Sequence, residues 1–307
     1  MRLGTAMKDS VKTQPRRFYD GGVLAIGDRI GLPPDPAADP RIVLERHLER
    51  DLETFSTERR IAYRDRHLGE IPVPASPDFR TDLTSTPALF TRLVPKTGAH
   101  LPAALVHDAL VAGGGDPSYT STDGHVIDRV EADRVFHDAM ADTGTGVVRR
   151  WIVWAAVTAA TIFVKDGLPR SPLVSWLHRV GAGVSLALIV YPGYCATGEL
   201  FDLDWPLAAT LPWMGERVWW QEVPGGLAGA IVIPLALSLL WGRFLLAGVI
   251  GCVTLAVLLH VTLGLVAISL TYLALEKIAK RAPTIARLLA LLVMVAALVA
   301  FVWFSFD

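Results

Sequence analysis

The sequence predicts a small α+β domain with a short β-sheet and three helices, followed by an all-α transmembrane helical bundle. Residues 1–146 carry 18 basic and 22 acidic side chains, a net charge of −4. Residues 147–307 carry 11 basic and 8 acidic side chains, and long stretches of this part are uncharged. The mean hydropathy of the whole chain, +0.40, is high for a soluble protein. The first part is therefore expected to face water and the second to enter a bilayer.

The beginning of the chain, residues 1–45, is predicted to be a disordered tail and linker. Its segment 32–40 contains four prolines, too many for a helix or a central strand. The first residues lack the apolar core of a signal peptide. The two cysteines, Cys195 and Cys252, both lie in apolar segments, so the polar part has none to form disulfides. Both observations favour a cytoplasmic location for this part.

The soluble domain is expected to span residues 46–167. Short alternating runs between residues 51 and 73 predict two or three strands of a small antiparallel sheet. Helices are predicted at 101–111, where Pro102 suits the first turn, and at about 128–142. The apolar run 151–164 is too short for an ordinary membrane span, so we interpret it as a third helix that lies against the membrane.

The transmembrane domain is expected to span residues 172–307, with helices at 174–196, 224–242, 244–274 and 286–304. Basic residues precede the first of these spans and a mainly acidic loop follows it. The positive-inside rule then places the soluble domain in the cytoplasm, most simply at a bacterial inner membrane. An alternative inserts 151–164 as a fifth span, and it also keeps the soluble domain inside. Membrane lipid is the expected partner, and the helices offer a surface for a homo-oligomer.

Two polar residues on apolar helix faces indicate a site. His107 lies among alanines, leucine and valines, and Asp133 shares a helix face with Phe136 and Met140. A buried imidazole needs a partner and a buried carboxylate is seldom left unpaired, so we predict that His107 and Asp133 form a pair. Asp108 points about 100° away around the helix, toward a loop that contains Asp82. Oxygen ligands of this kind suit Ca²⁺.

The residues from about 50 to 165 resemble the DUF1353 family of short phage and prophage proteins. The resemblance rests on a polar loop with Thr-Asp, a helix with His-Asp, and a later helix with Arg, Asp, Phe and Met at fixed spacing. The matching stretches are residues 71–74, 79–87, 103–110 and 129–140. This resemblance implies a phage-related origin and assigns no activity.

The same pattern is similar to the small prokaryotic phospholipases A2. That resemblance implies a phospholipase A2-like helix pair in which His107 is the general base and Asp133 orients it. It also implies a calcium site formed by Asp82, the carbonyl of Leu83, and Asp108. The sequence departs from that family's pattern: Thr84 stands in place of a cysteine, and Leu110 and Val111 stand in place of a glycine and a tyrosine.

The leading functional hypothesis is a membrane-anchored, phospholipase A2-like hydrolase that uses a His/Asp pair against a lipid ester. The alternative is a non-catalytic, phage-derived membrane protein whose soluble domain docks a partner, or a holin- or channel-like assembly. Catalysis requires His107 to contact Asp133 and Asp82 to lie near Asp108, whereas a docking domain requires only that the pair be buried. The soluble part has no basic field, so nucleic acid is not an expected partner.

Overall fold

The computed structural model describes residues 17–23, 31–49, 52–83, 98–112, 119–164, 168, 171–215 and 217–285, together with 287–288, 291–292, 294–295 and 299. By its internal contacts the chain divides into two compact units, residues 1–256 and residues 257–307. In these residues the fold combines a small β-sheet region with seven α-helices. This agrees with the α+β part of the predicted fold class.

The sheet region consists of one three-stranded antiparallel sheet and two smaller antiparallel pairs. The three-stranded sheet has the order β1-β4-β5, and its strands are β1 (Phe18–Asp20), β4 (Ile61–Arg64) and β5 (Glu70–Val73). The two pairs are β2 (Leu44–Glu49) with β3 (Leu52–Thr57), and β6 (Tyr119–Thr120) with β7 (Val126–Ile127). Tyr63 of β4 lies between Phe18 and Ile71 in the register, and its side chain is fully buried.

Strand β1 lies inside the segment that was predicted to be a disordered tail. Phe18, Tyr19 and Asp20 are all buried, and they pair with β4. The side chain of Arg59 donates to Asp20 at 2.7 Å. This guanidinium, opposed in part by burial, holds the pKa of Asp20 below its ordinary value. The folded domain therefore starts at least as early as residue 18. The pairing of β1 with β4 and the ion pair between Arg59 and Asp20 hold this segment in place.

This part of the chain has three helices, α1 (Leu101–Val111), α2 (Arg129–Asp142) and α3 (Val147–Phe163), and α1 contacts strands β4, β5 and β6. Helix α2 begins at Asp128, whose side chain accepts a hydrogen bond from the backbone N–H of Glu131 at 2.7 Å. Helix α1 packs on α2 and α2 packs on α3. The core between these layers is apolar and closed to water; its largest members are Tyr63, Ile61, Ile71, Leu105, Leu110, Phe136 and Met140. The three predicted helices of the soluble domain are therefore present.

The second half of the chain is built from long apolar helices. They are α4 (Pro172–Leu200), α5 (Trp219–Ser238), α6 (Leu245–Val257) and α7 (Leu259–Arg281), with a 3₁₀ segment, Leu239–Phe244, between α5 and α6. Two stretches, Pro172–Leu200 and Trp220–Val257, are long and apolar enough to cross a membrane by length and composition. Only 22% and 11% of their most apolar windows are buried, unlike the core helix of a soluble protein.

The boundaries of the apolar helices differ from the predicted spans. The break predicted between 242 and 244 is present, because Gly242 adopts a left-handed φ of 55°. The predicted span 244–274 is instead divided into α6 and α7 at Leu258. The predicted span 286–304 lies largely outside the described residues. Gly225 and Gly229 both lie against Trp213 of the preceding loop, where a Cβ on Gly225 would come 2.1 Å from the Trp213 carbonyl oxygen.

Candidate functional site

The packing of α1 on α2 brings His107 and Asp133 together. His107 Nε2 donates to Asp133 Oδ1 at 3.1 Å. His107 is 6% exposed and Asp133 is 2% exposed, so the pair is shielded from water. The ring of Phe136 lies 4.9 Å from the imidazole, centroid to centroid. The two residues that the sequence singled out from different helices therefore form one buried pair.

The other ring nitrogen of His107 faces a different carboxylate. Nδ1 lies 3.9 Å from Asp108 Oδ1, beyond hydrogen-bond distance. Within the part of the chain that the structure describes, Nδ1 is buried and has no hydrogen-bond partner. One side of the imidazole is thus fixed by Asp133, while the other side presents an unbonded nitrogen beside Asp108. A histidine oriented in this way can transfer a proton through Nδ1.

The electrostatic surroundings favour the protonated ring. Burial by itself would lower the pKa of His107, but the carboxylates of Asp108 and Asp133 outweigh burial and raise this pKa to about 9. At neutral pH the imidazole therefore carries a positive charge that the two carboxylates compensate. It becomes able to accept a proton only as the pH approaches 9.

The loop at Thr81 is tied to both the sheet region and the helix that carries Asp108. Thr81 forms a two-way backbone bridge with Phe55, with N···O distances of 2.7 and 2.9 Å. The hydroxyl of Thr81 donates to Asp108 Oδ2 and accepts from the N–H of Leu83 at 2.9 Å. Leu83 is buried and has a φ of 58°, which costs a leucine about 1–2 kcal/mol. The loop is held in an unusual conformation directly beside the candidate site.

The predicted calcium ligands Asp82 and Leu83 follow Thr81 in the loop, and Asp108 accepts a hydrogen bond from the Thr81 hydroxyl. Asp108 is half-buried and lies at the loop, whereas the neighbouring Asp82 is exposed and the side chain of Leu83 points into the core. Among the described residues, no three side chains of His, Cys, Asp or Glu converge on a point that could hold a metal ion. The remainder of the predicted loop, residues 84–87, lies outside the described residues. The structure fixes the contact between the Thr81 hydroxyl and Asp108, and the calcium site stays a prediction.

Sequence reasoning did not assign a separate role to Thr81, although it joins the loop to Asp108. Its signal was present, since threonine two residues before a left-handed position is typical of a side chain that bonds its own backbone.

A charged network around Arg134 was also missed from the sequence. The guanidinium of Arg134 donates to Asp65, Glu131 and Asp138 at 3.0, 2.7 and 2.8 Å. Burial by itself would raise the pKa of Asp65. The backbone N–H of His67 and the guanidinium of Arg134 outweigh burial, so this pKa lies below its ordinary value. This network fixes α2 against the turn after β4.

We expect Thr81→Val to lower the free energy of unfolding by about 1–3 kcal/mol. The substitution keeps the shape of the side chain but leaves the N–H of Leu83 and one oxygen of Asp108 without the hydroxyl. Chemical denaturation of the purified full-length protein, followed by tryptophan fluorescence, measures the change. Thr81→Ser, which retains the hydroxyl, is the matched control and should remain close to the parent protein. Equal loss in both variants would show that the hydroxyl contributes nothing.

The fold and the site together define a class of protein: a small α+β domain whose packed helices hold a buried histidine–aspartate pair, followed by long apolar helices. Within this chain, residues 55–157 match the family model described as a protein of unknown function, DUF1353. The match confirms the predicted resemblance to DUF1353. It covers about a third of the chain and contains His107, Asp108 and Asp133. No curated protein and no solved structure matches the chain.

Proposed function

We propose that this protein is a membrane-anchored hydrolase in which His107, oriented by Asp133, activates water against an ester of a membrane lipid. The observation that carries the proposal is the geometry of the imidazole. Its Nε2 is bonded to Asp133 at 3.1 Å, while Nδ1 is unbonded among the described residues and lies beside Asp108. A base held by a carboxylate on one nitrogen and unbonded on the other has the arrangement that water activation uses, once water reaches the buried Nδ1.

The proposed reaction follows from this geometry. In its neutral form, His107 removes a proton from water through Nδ1, and the water oxygen attacks the ester carbonyl carbon. The tetrahedral intermediate then breaks its bond to the alcohol oxygen, which takes the proton from Nδ1. The products are a carboxylic acid and an alcohol, and His107 returns to its neutral state. Asp133 stabilises the imidazolium while it exists and keeps the ring in place.

Calcium is the metal that the phospholipase-like pattern suggests for this site. It would be held by Asp108, Asp82 and the carbonyl of Leu83, and it would supply positive charge for the oxyanion. In the described residues Asp108 is held against the Thr81 loop, and no cluster of three His, Cys, Asp or Glu side chains is found there. No step of the proposed reaction is therefore assigned to the metal, and calcium dependence is a separate question for experiment.

The membrane part of the proposal rests on the two bilayer-length apolar stretches, Pro172–Leu200 and Trp220–Val257. We place them, with the predicted spans 244–274 and 286–304, in a transmembrane bundle of the bacterial inner membrane, and we place the soluble domain in the cytoplasm. This arrangement would hold the His107 site next to its lipid substrate. Contacts between copies would be made by the apolar helices.

A second candidate is a non-catalytic, phage-related membrane protein that docks a partner or forms a holin- or channel-like assembly. The observation in its favour is burial: His107 and Asp133 are 6% and 2% exposed. A buried ion pair of this kind can serve as a latch that holds α1 on α2 without any chemistry. The two candidates differ in whether water reaches Nδ1.

The test is phospholipid hydrolysis by the purified full-length protein in mixed micelles, assayed as released fatty acid with calcium and with a chelator. We expect release by the parent protein and a loss of about 10²–10⁴-fold in His107→Gln, which removes the base. His125→Gln, a change of an exposed histidine on the same domain, is the matched control. If folded parent protein released no fatty acid at pH 7 or pH 9 with or without calcium, the hydrolase proposal would be wrong and the docking role would be favoured.

A further inference from the structure

The connection between α4 and α5 contains a segment without charge, residues 205–215, that the proposed reaction does not use. Apart from Thr210, this 205–215 segment consists of apolar residues and glycine, and the acidic residues Asp204 and Glu216 flank it directly. Connections between helices usually run through water and carry polar side chains. An apolar connection with a charge at each end therefore indicates a segment that is not fully in water.

The 205–215 segment folds back along the two helices that it joins. Leu211 is buried in one apolar cluster with Cys195 of α4. The ring of Trp213 lies against α5, where a Cβ on Gly229 would come 2.5 Å from the indole Nε1. Gly229 follows Glu222, the acidic residue in the first turn of α5, by seven positions, or about 10 Å along the helix axis. The segment therefore lies beside the helices and not beyond their ends.

The length of α5 determines the depth of this contact in a membrane. The helix has 20 residues, so it is about 30 Å long, which is the thickness of the hydrocarbon core. A helix of this length that crosses a bilayer has no full turn outside it. The membrane placement proposed above therefore puts Trp213 inside the hydrocarbon core. Since the soluble domain is placed in the cytoplasm and α4 is the first span, this position lies in the outer half of the bilayer.

Backbone groups of the 205–215 segment have hydrogen-bond partners on side chains of α4. Two carbonyls accept from tyrosine hydroxyls, and two N–H groups donate to a thiol sulfur and a carboxylate. The pairs are Pro206 with Tyr194 at 2.8 Å, Leu207 with Tyr191 at 3.2 Å, Ala209 with Cys195 at 3.3 Å, and Leu211 with Glu199. Non-helical backbone is tolerated at membrane depth only where the protein or a water-filled cavity satisfies such groups. These bonds therefore allow the segment to leave water.

The side chain of Leu207 points away from the rest of the protein. It is 90% exposed, although it is apolar and its carbonyl is bonded to Tyr191. Its φ of 65° is a left-handed conformation that costs a leucine about 1–2 kcal/mol. Leu203 and Phe201, which precede the segment, are 45% and 61% exposed. A fixed and strained backbone that presents apolar side chains outward indicates an apolar surface outside the protein.

We infer that residues 205–215 are a re-entrant segment that enters the outer half of the bilayer, with Leu207 in contact with the acyl chains of membrane lipid. Acyl chains are the occupant that the observations favour, because the segment is uncharged and joins two apolar stretches of bilayer length. This inference rests on the membrane placement proposed above, and it is independent of hydrolysis at His107.

Site-specific fluorescence in vesicles of phosphatidylglycerol and phosphatidylcholine tests the inference. The full-length protein carries Cys195→Ser, which keeps an acceptor for the segment, and Cys252→Ala. One new cysteine, Leu207→Cys, Val232→Cys or Arg217→Cys, is then labelled with an environment-sensitive fluorophore. Val232 lies within α5 and is 63% exposed, so it is the reference for a lipid-facing position of a span. Arg217 is exposed and charged, so it is the reference for water.

The label at Leu207→Cys is expected to behave like the label at Val232→Cys. Both should be quenched by phospholipid that carries a nitroxide on its acyl chain. Iodide, present on both sides of the vesicles, should quench the label roughly fivefold less at Leu207→Cys than at Arg217→Cys, because the hydrocarbon core excludes ions.

Three results would overturn the inference. Equal iodide quenching at Leu207→Cys and Arg217→Cys, with Val232→Cys protected, would place the segment in water beside intact spans. Protection of Leu207→Cys from both iodide and the nitroxide lipid would show that protein, such as a second copy of the chain, covers it. Strong iodide quenching at all three positions would remove the membrane placement itself, whereas the hydrolysis assay in micelles would still decide the role of His107.

Discussion

Asp133→Ala is expected to lower the free energy of unfolding at pH 7 by about 3–5 kcal/mol. The substitution removes the hydrogen-bond acceptor of His107 Nε2 and leaves a buried imidazole with one carboxylate neighbour instead of two. It also opens a small cavity at a position that is 2% exposed. Chemical denaturation of the full-length protein, followed by tryptophan fluorescence, measures the loss.

A double substitution tests whether the loss of stability comes from leaving one polar group of the pair without its partner. Asp133→Val combined with His107→Leu replaces both polar groups by apolar ones, and we expect it to regain most of the lost stability. Asp133→Asn should fall between the parent protein and Asp133→Ala, because it keeps an acceptor and loses the charge. Asp78→Ala, at an exposed carboxylate, is the control. A cost for Asp133→Ala no larger than that of Asp78→Ala would show that the pair does not stabilise the fold.

Hydrolysis is expected to increase about tenfold per pH unit from pH 7 and to level off near pH 9. The reason is that the carboxylates of Asp108 and Asp133, against the effect of burial, raise the pKa of His107 to about 9. Only the neutral ring can accept the proton of water, and its fraction increases until the pH reaches that pKa. Measurement of kcat/KM from pH 6 to pH 10 gives the apparent pKa of the base.

The variant Asp133→Asn, used above for stability, also tests whether the pH dependence comes from His107. Asp133→Asn removes one of the two charges that raise the pKa of His107, so its profile should shift toward lower pH. His125→Gln should leave the profile unchanged. A parent profile that levels off near pH 6.5, the ordinary value for histidine, would contradict the geometry of a ring between two carboxylates.

Stability is expected to change in the opposite direction over this range. The pKa of His107 is higher in the folded protein than in the unfolded chain, so its contribution to stability is complete below about pH 6.5. That contribution, about 3 kcal/mol, is lost as the pH rises through 9. The protein should therefore be most active where this pair stabilises it least.

The contact between His107 and Asp133 was predictable from the sequence because its signals are local. Each residue lies on an apolar face of its own helix, and helical periodicity gives that face directly. Burial then requires each polar group to find a partner, and the other helix carries the matching one. The direction of Asp108 away from His107 followed from the same periodicity, and the structure places Asp108 at the Thr81 loop.

The division into a polar part and an apolar part was also determined by sequence alone. Composition and the length of uncharged stretches do not depend on contacts with distant residues. Tertiary structure decided the features that depend on distant residues. Strand β1 joins the sheet because Phe18 pairs with Tyr63. The proline-rich segment that follows Phe18 in the sequence gives no indication of this contact. A cavity of about 360 Å³ exists only because residues of α2, α3 and the segment after Gly242 meet in space. Local patterns determine which faces are buried, whereas long-range packing determines which buried faces meet.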